Sequence, residues 1–245
     1  FGSGHPLLSF CSFLTKRIST SIRARDYDIN MPLFKTIQFN ATTQILVWKI
    51  SESYEELVDA IILNEKNSIR LAGMKSEIHQ RAFLSVRKLM QHAGFTDFDL
   101  YYDEFGKPNL YREKHISITH SHHFSAIIIS DQTVGIDIEL QREKIIKIAH
   151  KFCESEFEFL PEEFDAESKQ EYIRKLTVIW GAKESIFKIR NEKGISFKDH
   201  IKANAFELED KQAIAELHFE NLIKDFKIHF EELEGFTLVY AFQIS

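Results

Sequence analysis

Residues 134–140 read Val-Gly-Ile-Asp-Ile-Glu-Leu. The alternation predicts a strand, because side chains two residues apart leave a strand on the same face. Ile136 and Ile138 then enter a core, and Asp137 and Glu139 project together on the other side. Upstream, 33–39 and 44–50 alternate in the same way. Ser53, followed by Glu56, reads as a capping box opening a helix through Leu57, Ile61 and Ile62. A second helix is expected over 76–92, with Ile78, Ala82, Val86 and Leu89 at helical spacing and Gly94 as its stop. An extended stretch at 98–102, a turn at Gly106-Lys107-Pro108, and strands at 116–119 and 126–129 complete the upstream half.

Downstream, 145–152 and 154–160 read as helical, and 161–171 as a solvated acidic loop or helix start. A long amphipathic helix is expected over 169–190, ended by Gly194. Four strands follow at 201–208, 213–220, 225–231 and 236–244. The layout predicts an α+β fold of two pseudo-twofold-related subdomains, 31–133 and 134–245, each a long helix packed on an antiparallel sheet. Residues 1–30 are set apart. Phe1-Gly2-Ser3-Gly4 reads as a linker, 16–25 is Ser/Arg-rich without an acid, and alternation begins just after Met31, so 1–30 is read as upstream sequence or a tail.

Composition removes several classes. The chain has 245 residues, enough for a substantial core, and its 22 Phe predict an aromatic-rich one. The formal charge of −6 disfavours general nucleic-acid binding, which needs a basic surface. No apolar run approaches the ~18 residues of a membrane span. Cys11 and Cys153 are too few for a disulfide framework and form no zinc pattern, which fits reduced thiols in a cytoplasmic protein.

Four features carry chemistry. Asp137 and Glu139 on one face repel unless a cation lies between them, and oxygen-only ligation suits Mg²⁺; a solvated acidic edge gives the same pattern. In Trp180-Gly181-Ala182-Lys183-Glu184-Ser185-Ile186-Phe187-Lys188, Glu184 and Lys188 are i,i+4 neighbours, as a surface ion pair or as a third carboxylate with a phosphate-binding cation. Gly181 inside that helix hints at a close approach, and Trp180 fits core packing. Thr119-His120-Ser121-His122-His123 lacks the ligands for tetrahedral zinc but suits anion binding at a strand end. Phe105-Gly106-Lys107-Pro108 is a tight turn that either leaves Lys107 in water or presents it to a phosphate or purine.

In this order the four features resemble the 4′-phosphopantetheinyl transferase superfamily, in its larger, single-chain (surfactin-synthetase-activating) type. The resemblance covers roughly 33–245. It implies transfer of phosphopantetheine from coenzyme A to a serine of an apo acyl or peptidyl carrier protein, with release of adenosine 3′,5′-bisphosphate. It implies Mg²⁺ held by Asp137, Glu139 and Glu184, with Glu184 as general base and Lys188 on an α-phosphate oxygen. Lys183 becomes a second phosphate candidate. Lys107 and Pro108 would meet the adenine end, and Thr119 and His120 the 3′-phosphate. Arg87 matches the arginine closing the family's first helix motif, and His79, Arg81 or Arg87 would complete the 3′-phosphate site. Thr119 stands where Ser is common, and Gly181 where Ser, Thr or Cys is frequent. The enzyme is expected to act as a cytoplasmic monomer with an internal pseudo-dimer. Arg142, Lys144, Lys147 and Lys151 offer an acidic carrier a local basic patch. A non-catalytic module binding coenzyme A or carrier protein, and a metal-dependent phosphodiesterase or nuclease, are the rival readings; the placement of the lysine on a helix and the acidic balance disfavour the nuclease.

Overall fold

A computed structural model of the chain describes residues 33–111, 113–161, 165 and 168–244. The reading of 1–30 as a tail, and residues 162–164 and 166–167 of the acidic stretch 161–171, lie outside the described residues.

The first half opens with the hairpin β1 (Leu33–Gln38) and β2 (Gln44–Lys49). Ser53 caps α1 (Tyr54–Asp59) through the predicted box: its side chain accepts from Glu56 N–H, and the Glu56 carboxylate accepts from Ser53 N–H. This helix ends before Ile61, and a separate helix, α2 (Glu65–Ala72), follows. α3 (Glu77–His92) runs as predicted, except that Ile78 stays exposed. Gly94 then adopts a left-handed φ of +81° that a glycine tolerates. The stretch 98–102 is a 3₁₀ turn leading into the short strand β3 (Leu100–Tyr102). β4 (Pro108–Leu110), β5 (His115–Ser121), β6 (Phe124–Ser130) and β7 (Val134–Leu140) follow.

In the second half the predicted helix 145–152 is short. α4 (Lys144–Ile148) passes into a 3₁₀ turn at Ala149–Lys151, and 155–158 is also 3₁₀. α5 (Ser168–Arg190) matches its expectation closely. It is succeeded by α6 (Phe197–His200), β8 (Ile201–Ala203), β9 (Gln212–Phe219), β10 (Leu222–Leu233) and β11 (Phe236–Gln243).

The strands form two larger antiparallel sheets, ordered β1-β2-β6-β5 and β7-β11-β10-β9-β8, with β3-β4 as a separate ribbon. α3 packs on the first sheet through Ala82, Val86 and Leu89 against Leu46, Trp48 and Ile127. α5 packs on the second through Leu176, Ile179 and Ile186 against Leu217, Phe226 and Ile228. The remaining faces of the sheets close on each other. Ile45, Val47, Phe124 and Ile128 meet Ile136, Ile138, Phe236 and Leu238 in a third apolar layer. The fold is therefore α+β, one long helix per antiparallel sheet.

Burial of these side chains, at ~25 cal/mol per Å² of apolar surface, drives the sheets together. Ion pairs rim the joint, Lys35 to Glu231 at 2.5 Å and Lys49 to Glu234 at 2.6 Å. They are exposed enough to set orientation more than stability.

Two glycines bring α5 onto the second sheet. A Cβ on Gly135 would lie 1.9 Å from the Ser185 carbonyl oxygen, and one on Gly181 would lie 2.5 Å from Val239 Cγ2. The close approach anticipated at Gly181 is thus the sheet itself. Trp180 is part of the packing, its ring centroid 5.1 Å from that of Phe152.

Candidate active site

The inner edges of the two sheets meet where β5 runs beside β7. Hydroxyls on β5 accept the N–H groups of β7: Ser117 from Ile136 at 3.1 Å, and Thr119 from Ile138 at 3.2 Å. Thr119 then donates to Asp137 Oδ1 at 3.1 Å, and Ser121 to Glu139 Oε2 at 3.3 Å. The alternation of β7 thus points Asp137 and Glu139 at a row of hydroxyls. Asp137 is buried; Glu139 is half-buried.

α5 brings Glu184 and Lys188 to the same edge. Lys188 Nζ donates to Asp137 Oδ1 and to the Ile136 carbonyl, each at 2.8 Å. Its ion-pair partner is therefore Asp137 on another element, and not the i,i+4 neighbour Glu184. Burial, then the charge of Asp137, pushes the Glu184 carboxyl up to about 7. Burial and Asp137 also raise Glu139. The three acids are thus electrostatically coupled, with Lys188 as the cation common to all three.

Among the described residues no three His, Cys, Asp or Glu side chains stand gathered as a ready-made metal site. Asp137 Oδ2 is nevertheless buried without a partner. An orphaned carboxylate oxygen beside two carboxyls held above their ordinary range suits a hard cation that takes its remaining ligands from water and substrate oxygens.

Lys188 and Thr119 also line a cavity of about 490 Å³. Lys107, Pro108, His120, Arg87 and His79 share its wall. Lys107 turns across to the end of α5, where its ammonium donates to the Ile189 carbonyl at 2.6 Å, and burial pulls it below its ordinary value. Burial and the neighbouring His79 and Lys188 hold His120 below the usual imidazole range. Arg87 is buried and committed to Asp97, Nε to Oδ1 at 3.0 Å, with its guanidinium over the Phe83 ring. Its Nη2 is left without a partner at the cavity wall.

Two candidates lie elsewhere. Lys183 is wholly buried, bound to Glu156 at 2.7 Å and to the Phe152 carbonyl at 2.6 Å, and does not line the cavity. Burial pulls its ammonium below the ordinary value, while Glu156 opposes the shift. Arg81 lines a separate groove. The cavity also has walls not singled out in sequence. Arg70 lies over the Tyr102 ring at 5.0 Å, and Asn191 sits just past α5 in a left-handed conformation. Asn191 follows directly on a helix whose stop was expected at Gly194, so its capping position was the available signal.

This edge, two carboxylates on a strand facing a Glu and a Lys one helical turn apart, lies in the segment that matches a known family. Residues 133–241 match the model of the 4′-phosphopantetheinyl transferase superfamily. Both larger sheets lie in one polypeptide, and the match falls on the second of them with the helix α5 packed on it. The chain is also 31% identical over 136 residues to a 4′-phosphopantetheinyl transferase, gsp, of Aneurinibacillus migulanus. That alignment covers 55% of this chain and 54% of the relative, so it spans about half the length of the protein it matches.

Proposed function

We propose that the protein transfers the 4′-phosphopantetheine group of coenzyme A to a serine of an apo carrier protein, releasing adenosine 3′,5′-bisphosphate. The observation that carries this reading is the position of Lys188, which at once pairs with Asp137 and lines the cavity beside Thr119 and His120. The match of residues 133–241 to the transferase superfamily supports it. The residues provide for a polyanion: Lys188, Lys107 and Arg70 supply charge, and the neutral His120 supplies an N–H donor. Pro108 and Tyr102 supply apolar walls for a base.

Mg²⁺ is the cation the acids suit, with Asp137, Glu139 and Glu184 as its holders; when bound it neutralises pyrophosphate charge. Phosphoryl transfer needs mostly positioning and charge neutralisation. Lys188 meets a phosphate oxygen, held in place by Asp137 and the Ile136 carbonyl. Thr119 fixes the rotamer of Asp137. Glu184 would accept the proton of the serine hydroxyl, directly or through a water, as the new O–P bond forms and the pyrophosphate O–P bond breaks.

Arg142, Lys144, Lys147 and Lys151 are all exposed, and offer an acidic carrier a face beside Glu139. Among the described residues no helix is long and apolar enough to cross a membrane. We place the activity in the cytoplasm, in a monomer, consistent with a buried free thiol at Cys153.

Incubation of apo carrier proteins from fatty-acid, polyketide and peptide synthesis with coenzyme A and Mg²⁺, read by intact mass, tests the reading. A gain of one phosphopantetheine with equimolar adenosine 3′,5′-bisphosphate is expected. No gain on any carrier type would overturn it in favour of a binding module.

A further inference from the structure

A second hollow of about 240 Å³ lies on the far side of the β5–β6 turn, lined by Ile50, Ile78, Arg81, His122 and His123. No acid lines it. Arg81 forms no ion pair among the described residues, and its Nε is buried without a partner. Arg81 is partly exposed and His122 and His123 are exposed, so this cationic groove is open to an anionic partner.

The groove is continuous with the reaction edge. His122 Nδ1 lies 3.3 Å from the Ser121 hydroxyl, which itself donates to Glu139. Arg142 acts electrostatically on both His122 and Glu139, and it lines the next hollow together with Lys144, Ile145, Ile148 and Trp180. A strip of cations set among apolar side chains therefore runs past the carboxylates from Arg81 to Lys144. Arg81 is absent from the wall of the large cavity, where His79 and Arg87 both lie.

We propose that the groove at Arg81 is a docking site for the acceptor, taking an acidic side chain that neighbours the target serine on the carrier protein, while the large cavity holds the nucleotide. This rests on the transferase reading. A serine that must reach Glu184 brings its protein surface over the rim that Arg81, His122 and Arg142 occupy. Isoleucines 50 and 78 would cover the apolar side of an amphipathic segment, and Ile78, exposed on the first turn of α3, then has a partner.

Arg81→Glu, with Arg81→Met as a milder second variant, tests the proposal by calorimetry on the full chain with apo carrier protein and, separately, with coenzyme A. Carrier affinity should fall about tenfold for the reversal and less for the neutral variant, with coenzyme A affinity unchanged. A carrier whose acidic residue beside the serine is changed to Lys should bind the Arg81→Glu protein better than the natural carrier does. Loss of coenzyme A affinity in both variants would assign Arg81 to the nucleotide instead, and unchanged carrier binding in both would remove it from docking. Either result overturns the proposal. A natural protein that transfers normally while Arg81 proves neutral refutes docking alone. One that binds carrier through Arg81 but transfers nothing refutes the transferase reading alone.

Discussion

Lys188 Nζ and Asp137 Oδ1 stand 2.8 Å apart, joined across 51 residues of sequence and two secondary-structure elements. This bond ties the long helix to the acidic strand. Asp137 needs it: with Thr119, it satisfies one carboxylate oxygen and leaves the other bare in the interior. Lys188→Met should lower kcat ~100- to 1,000-fold through loss of a preorganised phosphate-binding charge. It should also cost roughly 2–4 kcal/mol of stability, because Asp137 is left buried and unpaired. Asp137→Asn in the same chain should recover the stability but not the rate. Thermal unfolding and single-turnover rates of the two single variants and the double variant check this, and strictly additive stability losses would contradict it.

The carboxyl of Glu184, near 7 in the folded protein against an ordinary 4.5, makes stability depend on pH. Between those values the folded protein binds a proton that the unfolded chain has released. The contribution is fully present below about 4.5 and lost as pH rises through 7, by about 2 kcal/mol after allowance for solvent screening. Denaturant melts from pH 4.5 to 7.5 should show this fall without divalent cation, and Glu184→Gln should flatten it. A slope that survives the substitution assigns the effect to another group.

Gly135 and Gly181 set the distance between α5 and its sheet. Gly135→Ala places a methyl against backbone that cannot swing away, and about 3 kcal/mol or more should be lost. Gly181→Ala meets only a side chain, gains ~1 kcal/mol of helix propensity, and should cost less. Pairing it with Val239→Ala should relieve the clash. Equal melting temperatures for the two single variants would contradict this ranking.

Lys183 and Glu156 share a wholly buried ion pair, and Glu156 also accepts the N–H groups of Ala203 and Glu154. Lys183→Met should cost about 3–5 kcal/mol by stranding Glu156, while coenzyme A affinity stays unchanged in the protein that folds. Calorimetry showing weakened coenzyme A binding would return Lys183 to the phosphate site.

Much of this was legible from local pattern. The strand at 134–140, the helix to Arg190 and the Ser53 box each follow from spacing, because each buries its apolar residues at a regular period. α2 was missed because one residue of its buried face is Asn67, whose amide donates to Asp97, so hydrophobic periodicity is broken there. The helix expected over 145–152 shortens after Ile148, and the strand expected over 201–208 ends at Ala203. For the lysines, sequence gives no reach. Lys107 ends on a carbonyl 82 residues away and Lys183 on Glu156, and only the packing of α5 decides those partners. Asp137, Glu139 and Glu184 were likewise expected to converge on one cation. The structure shows the three acids coupled in charge, while no ready-made group of three ligands stands among the described residues.

The account turns on a divalent cation joining these acids to a pyrophosphate. Calorimetric titration of coenzyme A into the protein, with Mg²⁺ and after its removal by chelator, tests that most directly. The account predicts at least about tenfold tighter binding with Mg²⁺, a gain that disappears in Asp137→Asn and Glu139→Gln. Coenzyme A binding that is equally tight with and without the metal in the unaltered protein would contradict it.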